Sequence, residues 1–222
     1  MLRVPIRRHH TVVYGSTIHR VVEYYLKRRV AGNYTSLDDL IAVYEREWEN
    51  QGFLTWEHQE ARNAAGREAI TRFWHEEEAD GARPAFIEKE FAFSIGRDRV
   101  RGRFDRVDEE LFGAVIVDYK TGDLRTPKDA DRRAAESLQL KIYSLAWRDM
   151  TGALPERVEL RFVDAHLVGR HRPNDDDVAE ATEAVKAAAA GIRARNFEAS
   201  PSYTACRYCA YSQVCPFTAT RE

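Results

Sequence analysis

Apolar residues recur along this chain first with a helical and then with an extended period. Ile18, Val21, Val22, Tyr25 and Leu26 stand at 0, +3, +4, +7 and +8, one face of an amphipathic helix, with His19 at its border. Ser36-Leu-Asp-Asp39 has the form of a helix start, a hydroxyl cap followed by acids, and leads into Leu40, Ile41, Val43, Tyr44 and Trp48. A third helix is predicted from about 57 to 79, ended by Gly81 and Pro84. From there the period becomes two. Residues 86–95 and 99–107 alternate as strands do, and Gly96-Arg97-Asp98 between them fits a hairpin turn. Residues 114–120 form an apolar run that turns polar at its end, as a buried central strand does where it emerges. After a turn at Thr121-Gly-Asp123 come a helix at about 131–150, a strand at 157–164, an edge strand near 166–171 and a helix at about 175–195. This order predicts an α/β fold with a mixed β-sheet whose central strand carries the functional residues. The linker-like stretch Glu198–Ser202 divides the chain into a main domain, 1–198, and a cysteine-bearing tail, 199–222, expected to pack back on it.

Composition narrows the function classes. With 222 residues, 44% of them apolar, the chain can bury about 70% of its unfolded surface, which excludes disorder as the main state. No stretch approaches the ~20 apolar residues of a membrane span, and the first ten residues hold no apolar signal core. A soluble cytoplasmic protein is expected. The net charge of −2 argues against a generally basic nucleic-acid coat, but the charge is uneven. Arg3, Arg7, Arg8, Arg20, Lys27, Arg28 and Arg29 face only Glu23 among the first 29 residues, and Arg97, Arg99, Arg101, Arg103 and Arg106 lie close together further on. Two basic runs beside candidate chemistry point to a polyanion, since phosphate binding draws its affinity from such charges.

That chemistry lies in Gly102-Arg-Phe-Asp-Arg-Val-Asp108 and Val117-Asp-Tyr-Lys-Thr-Gly122. On a strand, Asp118 and Lys120 share one side while Tyr119 takes the other, and a hairpin would bring Asp105 alongside them. Alternation also places Arg101 and Arg103 on the face of Asp105, with Arg106 pointing away. Two carboxylates held together repel unless a cation lies between them. Mg²⁺ suits the position, because it prefers oxygen ligands and keeps waters that a substrate phosphate can displace. A lysine two residues on can then hold or polarise the attacking water.

These two motifs, followed by Gln139-Leu-Lys-Ile-Tyr143, resemble in order and spacing the motif series of the PD-(D/E)XK nuclease superfamily, in its RecB-like branch, over residues 14–217. The resemblance implies a restriction-endonuclease-like αβββαβ core and a DNA nuclease dependent on Mg²⁺ or Mn²⁺, acting exonucleolytically in repair or recombination. It implies Asp105, Asp118, the Tyr119 carbonyl and His19 as metal ligands and Lys120 as the catalytic lysine. Gln139 and Tyr143, one turn apart on a helix, would orient the DNA or the lysine. Glu90 falls where this branch often has an acid, with Glu88 competing. Arg101, Arg103 and Arg106 would line or flank the DNA path. Aspartate in Asp-x-Lys leans toward the helicase-linked members and away from Cas4-like exonucleases. No Gly-x-x-x-x-Gly-Lys-Ser/Thr is present, so a helicase motor belongs to a partner or to further sequence. A non-catalytic DNA-binding or scaffolding module and a stand-alone Cas4-like exonuclease are the alternatives.

All three cysteines, Cys206, Cys209 and Cys215, lie near the end. Their odd number and ordered spacing favour metal ligation over disulfides. Within the resemblance they look like the C-terminal part of a [4Fe-4S] site whose fourth cysteine lies before the first helix. Here that cysteine is missing, and either a fragment of a longer, cluster-bearing parent or a variant with no complete cluster is expected. Three thiolates cannot close a Cys₄ site. Zinc, with His9 or His10 as fourth ligand, is the other metal reading, and three reduced thiols in a loose tail the third.

Overall fold

The structure, a computed structural model, describes residues 8–81, 83–207, 209 and 211–220; Arg3 and Arg7 of the basic run lie outside them. The predicted amphipathic stripe buries itself as one face of α1 (His10–Val30), with Ile18, Val21, Val22, Tyr25 and Leu26 all at 2% exposure or less. Lys27, Arg28 and Arg29 fill its last turn, where they offset the negative end of the helix dipole. Ser36 and Asp39 form a capping box that starts α2 (Leu37–Glu47). Thr55 caps α3 (Trp56–Asp80), which ends at Gly81 in the left-handed conformation, φ +67°.

The sheet follows: β1 (Phe86–Ile95), β2 (Asp98–Glu110), β3 (Gly113–Lys120), β4 (Arg157–Phe162) and β5 (Leu167–His171), in that spatial order. Neighbours are antiparallel except β3 and β4, which run parallel. The sheet is therefore mixed, and β3 is central. Because side chains alternate along β3, it supplies both layers of the core. Val115, Val117 and Tyr119 pack with α1, α2 and α3, while Ile116 packs with Leu140, Tyr143 and Ala146 beyond the other face. Each fully buried large apolar side chain contributes about 1.5–3 kcal/mol.

The helix predicted over 131–150 is two helices, α4 (Pro127–Ala135) and α5 (Leu138–Thr151). Ser137 breaks them apart: its Oγ accepts the Leu140 N–H and starts α5 afresh. That break aims Gln139 at the end of β3. α6 (Asp175–Arg193) packs on α5, and the tail contains one short helix, α7 (Tyr203–Arg207). Among the described residues no helix is long and apolar enough to cross a membrane. The architecture is the expected mixed α/β arrangement, helices, three strands, helices and a parallel strand, with β5 added at the edge.

Candidate active site

The site forms where β3 emerges between the two helical layers. Arg106 of β2 faces Val117 of β3, so one step further Asp105 stands across from Asp118. The strands part there. The Tyr119 N–H, left without a backbone partner from β2, is taken by Asp105 Oδ2 at 3.0 Å. His19, from the polar border of α1, brings Nδ1 to 3.6 Å from the same oxygen. On the other side α5 delivers Gln139 and Tyr143, one turn apart. Gln139 Nε2 donates to Asp118 Oδ1 at 2.7 Å and to Tyr143 Oη at 2.8 Å, while its Oε1 accepts from Lys120 Nζ at 2.8 Å. An amide fits this place because it offers a donor to the carboxylate and an acceptor to the ammonium; a carboxylate at 139 would repel Asp118.

Asp118 is 1% exposed. Burial first, and then the Asp105 carboxylate, push its carboxyl above the usual range, while Lys120 and His19 pull it back. Its Oδ2 lies 2.6 Å from Lys120 Nζ, in a charge-assisted contact with that ammonium. Tyr119 turns its ring away, edge-on to Phe73 at 6.0 Å, and its hydroxyl accepts from Arg106 at 3.2 Å.

Of the two competing glutamates, Glu88 is the one that turns toward the site. It has a largely buried side chain, a φ of +54° near the start of β1, and an ion pair with Arg103. Burial, then Glu23, raise its pKa, with Asp105 adding to the rise and Arg103 opposing it. Glu90 is exposed. Strand alternation could not separate two acids spaced by two; their burial does. The alternation of β2 is also broken here, since Phe104 and Val107 bury their side chains in the same cluster. Arg106 corrects the reading that it flanks a DNA path. It is fully buried behind the sheet, with Nη1 at 2.7 Å from Glu77 Oε1 and Nε at 2.7 Å from Asp108 Oδ1. Arg97, Arg99, Arg101 and Arg103 are exposed. Gly102, which opens the motif, lies under the Phe91 ring, 2.3 Å from where a Cβ would be, so a side chain there would displace that ring.

Among the described residues no three His, Cys, Asp or Glu side chains gather as a ligand cluster. For the tail this means that Cys206, Cys209 and Cys215, all free thiols, form no closed site. His9 is instead the cap of α1, accepting from Thr11 N–H, and His10 packs on Phe53 and His58; this pair shows no zinc site with the tail. At the end of β3 the requirement is smaller. Mg²⁺ is held by one or two carboxylates and otherwise by water and phosphate. Asp105 with Asp118, two carboxylates near enough that the first raises the pKa of the second, fits that ion.

No curated protein matches the chain. Similar solved structures include SSO0001, 16% identical with a TM-score of 0.42, the match covering 99% of this chain and 90% of that one. Another is the "Putative exonuclease" of Eubacterium rectale, 16% identical with a TM-score of 0.49, covering 84% of this chain and 69% of that one. The family model of the PD-(D/E)XK nuclease superfamily matches residues 2–216, nearly the full length. The chain belongs to the PD-(D/E)XK nuclease superfamily.

Proposed function

We propose that the protein is a deoxyribonuclease that hydrolyses phosphodiester bonds with Mg²⁺ or Mn²⁺, trimming DNA ends in repair or recombination beside a helicase motor supplied by a partner or by further sequence. One observation carries the reading: a buried aspartate, Asp118, is locked by Gln139 and Lys120 across from a second acid, Asp105. Asp105, Asp118, the Tyr119 carbonyl and His19 would hold the ion. When bound, it supplies positive charge to the phosphoryl oxygens and lowers the pKa of a water it holds.

The chain's own groups do the rest. Gln139 and Asp118 each take one proton of the Lys120 ammonium, which leaves the third for the attacking water or a phosphoryl oxygen. Tyr143, 3.4 Å from Asp118 Oδ1, and Gln139 hold that carboxylate in one rotamer. The exposed arginines of β2 offer charge to the DNA backbone on the β1–β2 side. Cys206, Cys209 and Cys215 would contribute three ligands to a [4Fe-4S] cluster, the fourth coming from elsewhere.

The test is digestion of linear and circular duplex and single-stranded DNA over a titration of Mg²⁺ and Mn²⁺. The expected result is metal-dependent loss of linear DNA that chelation abolishes. Folded protein that binds DNA and leaves it whole at every metal concentration would make it a binding module instead.

A further inference from the structure

Asp164 lies at the corner between β4 and β5, far in sequence from both motifs, with its side chain only 10% exposed. Its Oδ2 accepts the Gly122 N–H at 3.1 Å and its Oδ1 accepts the Tyr14 hydroxyl of α1. Arg62 of α3 lies 3.7 Å from Oδ2 and stacks over the Tyr14 ring at 4.0 Å, and Arg72 donates to the Asp164 carbonyl at 3.0 Å. The preceding residue, Val163, donates its N–H to the Lys120 carbonyl at 3.0 Å. The backbone is thus held on both sides of Thr121, immediately after Lys120. On α1, Gly15 runs close to the same turn, since a Cβ there would lie 3.1 Å from Thr121 Oγ1. Gly15 and His19 are one helical turn apart on α1.

We propose that Asp164 is a positioning residue, a bracket that sets the distance between the helix bearing His19 and the strand end bearing Asp118 and Lys120. The proposal rests on the nuclease reading. Two donors approach two different oxygens, and only a carboxylate accepts from both while balancing the Arg62 charge. Asparagine keeps the shape but has one acceptor: with its oxygen on Gly122, its amide would donate to the Tyr14 hydroxyl, which reverses that bond and leaves the hydroxyl proton without its acceptor, and the charge facing Arg62 would be lost. A small displacement of groups so placed slows the chemistry without weakening substrate binding, because alignment matters most in the transition state.

The experiment compares wild type, Asp164→Asn and Tyr14→Phe, which removes only the α1 side of the bracket. Steady-state cleavage is measured well below each melting temperature, and Mn²⁺ binding without DNA by titration calorimetry. Asp164→Asn is expected to lower kcat about tenfold with KM unchanged and to weaken Mn²⁺ binding about tenfold; Tyr14→Phe moves both the same way by less. If Asp164→Asn does not fold, Tyr14→Phe decides alone. A lowered melting temperature with wild-type kcat and wild-type Mn²⁺ affinity overturns the proposal, as does a raised KM with kcat unchanged. Wild-type protein that cuts no DNA overturns the nuclease reading, and the Mn²⁺ titration then judges the bracket separately: equal affinity in the variants, or no Mn²⁺ binding by wild type, overturns it too.

Discussion

Replacing Arg106 separates its two readings, a DNA contact and a buried counter-ion. Arg106→Met keeps much of the side-chain volume and removes the charge. Arg106 is fully buried and bonds Glu77, Asp108 and the Tyr119 hydroxyl, so the variant leaves two nearly buried carboxylates without their main partner. Breaking a buried pair on one side costs about 3–5 kcal/mol. Arg161, 3.4 Å from Glu77 Oε1, still compensates one of the two acids, which places the loss near the lower end, about 3 kcal/mol. At roughly 2–4 °C per kcal/mol for a domain of this size, the melting temperature should fall by about 6–12 °C. Arg103→Met is the control: its side chain is 56% exposed in its pair with Glu88, and such a pair contributes only about 0–1 kcal/mol. Thermal unfolding by circular dichroism without metal or DNA reads both. If the two variants melt together, or if Arg106→Met raises KM for DNA at an unchanged melting temperature, the buried-network argument is wrong.

Lys120→Ala and Asp118→Ala should each lower cleavage at least about 100-fold, the scale of losing a preorganised charge at the reacting centre, with far-UV circular dichroism unchanged; either variant cutting at the wild-type rate would show the site to be misassigned. The raised Asp118 pKa gives stability and activity opposite dependences on pH. Its favourable contribution is present below the unfolded pKa and lost as pH rises through the folded one, whereas cleavage needs the anion and grows over that window. Asp118→Asn should therefore melt above wild type at neutral pH without metal while cutting nothing, and parallel melting curves from about pH 4 to 8 would contradict this. Cys209→Ser should lower the melting temperature of protein loaded with iron and sulfide and leave unloaded protein unchanged; equal melting of the loaded forms, with iron content measured, would end the idea that a cluster staples the tail.

Much of this molecule is legible along the chain because local chemistry dictates it. The α1 stripe, the Ser36 cap, the Gly81 stop and the apolar run of β3 follow from periods and caps that act within a few residues, and side-chain alternation alone puts Asp118 and Lys120 on one side of a strand. What alternation gives is a face relative to the strand, not what covers that face. α3 brings Glu77 over Arg106, turning an expected surface arginine into a buried one. The positive φ at Glu88 breaks the period that a reading of β1 depends on, and Glu88 is largely buried where Glu90 is exposed. The Asp164 bracket joins a strand corner, a turn and two helices, groups that meet only once the sheet has its order and the helices are packed. Contacts between residues so far apart in sequence leave no periodic trace, because they are selected by three-dimensional packing and by the need of every buried polar group for a partner.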